Sequence, residues 1–112
     1  MPLRVALAED EPVARGRLAR LLRDAGCDVA AEVEDGRALL AWMAQGPPLD
    51  ALFLDVRMPG ASGLEILAEL ASPPPVVFVT SSADHAVAAF DQCEVDYLLK
   101  PVTAERLART LE

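Results

Sequence analysis

The 112 residues fit one domain, long enough to bury a single core and too short for two. Apolar residues make up 53% of the chain but fall in short runs, none near the roughly 18 to 20 needed to cross a bilayer, so a soluble protein without a membrane partner is expected. A net charge of −8 disfavours nucleic acid as a direct ligand, because phosphate backbones are held by surplus Lys and Arg, so any DNA contact would fall to another domain.

The chain opens on a β-like run at residues 3–8. It shows no basic leader, long apolar stretch and small-residue cleavage site, which makes the cytoplasm the expected location. From Pro12 onward Ala14, Leu18, Leu21, Leu22 and Ala25 recur at helical spacing, with Pro12 in the first turn and Gly26 as a stop. Residues 29–33 read as a second strand. Asp35 can cap a helix carrying Leu39, Trp42 and Met43, which Gly46, Pro47 and Pro48 end.

Residues 49–55 (LDALFLD) form a nearly continuous apolar run of strand length that ends in an acid, as expected for a parallel strand covered on both faces. Ser62 and Glu65 make a capping box for a helix with Leu64, Leu67, Ala68 and Ala71 along one face. Residues 76–80 are a fourth strand. Ala83, Ala86, Val87 and Phe90 mark a fourth helix, residues 95–99 a fifth strand, and a final helix from about Thr103 carries Ala104, Leu107, Ala108 and Leu111. Strict alternation of strand and helix predicts an α/β fold, a (βα)5 doubly wound sheet of five parallel strands with helices on both faces.

In such sheets ligands bind at the carboxyl ends of the strands, near the point where strand order reverses. The first strand ends in Glu9 and Asp10, the third in Asp55, the fourth in Thr80 and the fifth in Lys100, the only lysine in the chain. Each has a bland reading taken alone: a turn or cap for Asp55, a helix-dipole complement for Glu9 and Asp10, a strand-end hydroxyl for Thr80, a solvated charge for Lys100. Their joint arrival at one edge of the sheet favours function. Three carboxylates gathered there would repel one another unless a cation joins them, and a hard oxygen set suits Mg²⁺, which keeps waters and leaves room for a phosphate. Asp55 would then attack phosphorus as a carboxylate nucleophile, with Lys100 neutralising the phosphate and the Thr80 hydroxyl bonding one of its oxygens.

These residues resemble a family. Glu9-Asp10, the run from Asp55 through Val56, Arg57, Met58, Pro59 and Gly60 to Ser62, Gly63, Leu64 and Glu65, then Thr80 and Lys100-Pro101, stand in the order and spacing of response-regulator receiver domains of two-component systems, over essentially all 112 residues. The resemblance implies a flavodoxin-like fold with strand order 2-1-3-4-5. It makes Asp55 the phosphoacceptor, Asp10 a direct Mg²⁺ ligand, Glu9 a ligand through water and the Arg57 backbone carbonyl a further one. Lys100 would pair with the phosphate from a cis bond to Pro101, and Tyr97 would turn inward when Thr80 moves to the phosphate.

Phe78 to Thr80, Asp84 to Ala86, Ala89-Phe90 and Val95 to Pro101 resemble the LytR/AlgR subgroup, whose receivers usually precede a LytTR-type DNA-binding domain. This chain ends at Glu112, which fits either an excised or a stand-alone receiver. Ser81 and Ser82 depart from the subgroup's usual alanine and aromatic, which bears on phosphate lifetime. The resemblance implies a sensor histidine kinase as donor and a switching face made by the fourth helix, fifth strand and final helix, with homodimerisation as one output.

His85 reads as a surface or interface residue rather than a relay histidine, and Cys27 and Cys93 as buried or semi-buried thiols in a reducing compartment. Two rival functions are weaker. A phosphatase with a strand-end Asp nucleophile needs a second acid two residues on, where Arg57 stands. A receiver-like module that docks without phosphorylation has no need of the full acid, threonine and lysine set.

Overall fold

The computed structural model describes residues 3–45, 48–55, 63–69, 74–80, 95–99 and 102–111. The described elements are β1 (Arg4–Ala8), α1 (Pro12–Asp24), β2 (Asp28–Val33), α2 (Gly36–Met43), β3 (Ala51–Asp55), α3 (Gly63–Glu69), β4 (Val76–Thr80), β5 (Val95–Leu99) and α4 (Ala104–Thr110). The helix expected around Ala83 to Phe90 lies outside the described residues. All strand pairs are parallel, and the sheet runs β2-β1-β3-β4-β5.

Every interior strand carries apolar side chains on both faces, and period two divides them cleanly. Val5 and Leu7, Ala51 and Phe53, and Val77 and Val79 join Leu18, Ala19, Leu22, Leu98 and Leu107 in one core. Ala6 and Ala8, Leu52 and Leu54, and Val76 and Phe78 join Leu39 and Ile66 in the other. β3 lies at the centre of the sheet with all five residues buried. Burying each large side chain such as Phe53, Leu22 or Leu39 stabilises the fold by roughly 1.5 to 3 kcal/mol relative to exposure.

Local chemistry sets the element ends. Gly26, at φ +91°, is the one described residue in the left-handed region, and it reverses the chain between α1 and β2. Asp35 caps α2 by accepting from the Ala38 N–H at 2.8 Å, as expected. β3 begins two residues later than its apolar run suggests. Asp50 forms a pair of hydrogen bonds with Arg4 instead: its N–H donates to the Arg4 carbonyl at 2.7 Å, and its Oδ2 accepts the Arg4 N–H at 2.7 Å. The ladder starts one step on, at Val5 opposite Ala51.

Two helix faces differ from their expected composition. Among the described side chains of α3, Ile66 is fully buried and Ala68 is exposed; in α4 Leu107 is buried and Ala104 and Ala108 face solvent. Each helix has seven residues and sets a large aliphatic, Ile66 or Leu107, into the core. Ser62, the expected cap of α3, lies outside the described residues.

Candidate metal and phosphoryl site

The site follows from register. Ala8 pairs with Leu54 and Leu54 with Phe78, so β1 and β3 end side by side at the same edge of the sheet. Asp55 is the last residue of β3, opposite Val79. By the alternation of β3 it continues the face of Ala51 and Phe53, the face covered by α1. A register slip of one residue would send it to the other side.

The structure brings Glu9, Asp10 and Asp55 together, with one carboxylate oxygen from each lying within 4.8 Å of the others. Glu9 and Asp55 are buried, at 3% and 6% exposure, while Asp10 is open to solvent. The donor set is entirely hard carboxylate oxygen, with two ligands fixed in the protein and one at its rim, which fits a small divalent cation that retains water. Zinc sites built on imidazole and thiolate have a different chemistry.

α1 holds the acidic loop in place. Glu11 is its N-cap, with Oε1 accepting from the Val13 N–H at 3.2 Å and Oε2 from the Ala14 N–H at 2.7 Å. Glu11 is thereby committed to the helix, whereas Glu9 and Asp10 turn toward Asp55. The Glu9 backbone is held from both sides, its N–H donating to the Val33 carbonyl at 3.0 Å and its carbonyl accepting from Arg15 Nη1 at 2.9 Å. Arg17 Nη2 donates to the Val102 carbonyl at 2.9 Å and ties α1 to the segment after β5. A pocket of about 370 Å³ opens over this edge, bordered by Glu9, Asp55, Val79, Val102 and the α1 residues Val13, Ala14, Arg17, Leu18 and Leu21.

Of the remaining site residues expected from the sequence, Thr80 is the last residue of β4, with its Cα opposite Leu99, and Tyr97 stands opposite Phe78 in β5. Both therefore occupy the expected strand positions, Thr80 at the same edge as Asp55. Arg57, Lys100 and Pro101 lie outside the described residues, as do His85 and Cys93. Glu11, Arg15 and Arg17 were not singled out in the sequence. A glutamate directly before a helix-starting proline is a legible cap signal. Two arginines that bind carbonyls leave none.

The chain matches the family model of the response regulator receiver domain over residues 5–112. It belongs to that family. An uncharacterized response regulatory protein of Vibrio cholerae is 40% identical over 111 residues, covering 95% of this chain and 42% of its own length. The positive alginate biosynthesis regulatory protein of Pseudomonas aeruginosa is 38% identical over 115 residues, covering 98% of this chain and 46% of its own, which bears out the LytR/AlgR resemblance. The chain thus spans about half the length of the curated relatives it matches. Among solved structures, the response regulatory domain of mrkE from Klebsiella pneumoniae superposes with a TM-score of 0.84 at 31% identity, covering 97% of this chain and 92% of that one. The protein is a receiver domain of two-component signalling, with the flavodoxin-like fold of that family. Among the described residues no helix is long and apolar enough to cross a membrane.

Proposed function

We propose that this receiver domain takes a phosphoryl group onto Asp55 in a Mg²⁺-dependent reaction and passes the change to a partner surface. The observation that carries the proposal is the gathering of Glu9, Asp10 and Asp55 within 4.8 Å at the carboxyl ends of β1 and β3. Glu9, Asp10, Asp55 and the Arg57 carbonyl would hold the ion. When bound, Mg²⁺ would neutralise charge on the phosphoryl oxygens.

Asp55 supplies the nucleophile. One of its carboxylate oxygens attacks the phosphorus of a phosphohistidine or an acyl phosphate, the bond to the donor nitrogen or oxygen breaks, and the donor leaves with that electron pair. Burial of Asp55 keeps bulk water off the acyl phosphate, while exposed Asp10 marks the side open to solvent. Lys100 is assigned to the phosphoryl oxygens, and Thr80, at the end of the neighbouring strand, to one of them. Movement of Thr80 toward the phosphate would free space for Tyr97 and alter the face built on β5 and α4 with the predicted helix near Ala83 to Phe90. We read residues 1–112 as one receiver domain acting in the cytoplasm, with a sensor histidine kinase as donor and a homodimer through that face as one output. The greater length of the relatives supports control of transcription through a domain outside this chain.

The test is direct. Purified protein is incubated with Mg²⁺ and acetyl phosphate or phosphoramidate, and its intact mass is followed. Gain of one phosphoryl group, abolished by Asp55→Asn and by chelation of Mg²⁺, is the expected result; no gain, or a gain that Asp55→Asn leaves in place, overturns the proposal.

A further inference from the structure

Two guanidinium groups of α1 reach toward the site and hold backbone rather than carboxylates. Arg15 fixes the Glu9 carbonyl, on the metal side. Arg17 bridges 85 positions of sequence to the Val102 carbonyl. Val102 is itself a core residue, 6% exposed and packed in the same cluster as Leu18, Leu98 and Leu107. Its side chain is thereby held by the core and its carbonyl by Arg17.

β5 ends at Leu99, whose partner in the ladder is Thr80. Only Lys100 and Pro101 separate that strand end from Val102. Two residues of chain span at most about 7 Å, so the position of Val102 bounds where the backbone of a lysine two residues before it can start. Val102 is also local to the chemistry: Arg17, Val102, Glu9 and Asp55 border the same pocket. Arginine suits the task, since its planar fork donates directionally and stays charged.

We infer that Arg17 is a positioning residue for phosphoryl transfer, its bond to the Val102 carbonyl setting the anchor from which Lys100 reaches the phosphoryl group on Asp55. The inference rests on the proposed function. It separates two roles on one helix: Arg15 acts on the metal loop, and Arg17 acts on the lysine side.

A double-mutant cycle on the purified domain tests it. The rate of phosphorylation by phosphoramidate at saturating Mg²⁺ is measured for wild type, Arg17→Met, Lys100→Ala and the double variant, with Mg²⁺ affinity measured separately. Arg17→Met keeps the stem and removes the donor. It is expected to slow phosphorylation about tenfold, since misplacement of a catalytic group by about 1 Å costs up to a hundredfold, and to leave Mg²⁺ affinity unchanged. In the Lys100→Ala background the same substitution is expected to change the rate less than about twofold, because coupled residues do not add.

Arg17→Lys, a less directional donor, falls between wild type and Arg17→Met. Wild-type rates in Arg17→Met, or an equal loss with and without Lys100, overturn the inference while leaving Asp55 phosphorylation standing. A wild-type protein that takes no phosphoryl group removes the proposed function and this inference with it. If Arg17→Met loses its cooperative unfolding transition, Arg17→Lys is read alone: a drop of about threefold or more that vanishes in the Lys100→Ala background supports the inference, and equal rates overturn it.

Discussion

Ala8 stands opposite Leu54 in the parallel ladder between β1 and β3, and the residues that follow them, Glu9 and Asp55, lie at one edge of the sheet with their carboxylates in reach of each other. Backbone register therefore brings the acidic side chains to one edge. A cation held there is linked to folding, because the unfolded chain has no such site. At Mg²⁺ ten times above its Kd, stability is expected to rise by about 1.4 kcal/mol, a shift of about 4 to 6 °C in Tm for a domain of this size. Thermal denaturation with and without Mg²⁺ measures it. Asp10→Asn is expected to lose most of the shift. An equal shift in wild type and Asp10→Asn would show that Mg²⁺ acts elsewhere.

The Arg15 bond to the Glu9 carbonyl gives a second expectation. A charged donor on a part-buried carbonyl contributes about 1.5 to 3 kcal/mol. Arg15→Met is expected to destabilise the fold by about that amount. It should also weaken Mg²⁺ about tenfold or more, as loss of outer-shell support for a metal ligand does. Urea denaturation and calorimetric titration give the two numbers. Loss of stability with Mg²⁺ affinity intact would make Arg15 a helix tether and nothing more.

The sequence carries the acidic half of this site openly. Asp55 ends an uninterrupted apolar run and Glu9 follows another, so counting residues along two strands is enough to bring them to one edge. The order β2-β1-β3-β4-β5 was available only through family resemblance, because five parallel strands of similar hydrophobicity do not declare their neighbours. The start of β3 escaped for another reason. Asp50 pairs its backbone N–H with the Arg4 carbonyl but meets the Arg4 N–H with its side chain, a choice that apolar pattern does not encode. Arg15 and Arg17 were invisible because their acceptors are carbonyls, which every residue has.

The face of α3 separates pattern from packing. Spacing alone places Leu64, Leu67, Ala68 and Ala71 along one face; of these the described one, Ala68, is exposed, while Ile66 is fully buried against the cluster of Leu39, Leu52 and Phe78. Ile66→Ala is expected to cost about 2 to 5 kcal/mol by opening a cavity beneath the helix. Ala68→Ser on the exposed face should cost within about 0.5 kcal/mol. Chemical denaturation of both variants decides whether Ile66 or Ala68 faces the core, and a reversal of the two costs would put Ala68 there.

Cys27 offers a test of the core that covers β1 and β3 on the α1 side. It is a free, buried thiol in the cluster of Leu18, Leu22 and Val5, and burial raises its pKa above the ordinary 9.0 by disfavouring the thiolate. The folded state thus binds the proton more tightly than the unfolded chain. Its contribution to stability is complete below the unfolded pKa and is lost as pH rises through the folded one. In a Cys93→Ser background, which leaves Cys27 as the sole thiol, alkylation at pH 8 is expected to run about tenfold or more slower in the native protein than in urea, since the thiolate is the nucleophile. Raising the pH above 9 should accelerate the native reaction as the thiolate forms. Native and unfolded rates that match at pH 8 would mean that the packing between α1 and the sheet opens far more readily than a core this well covered allows.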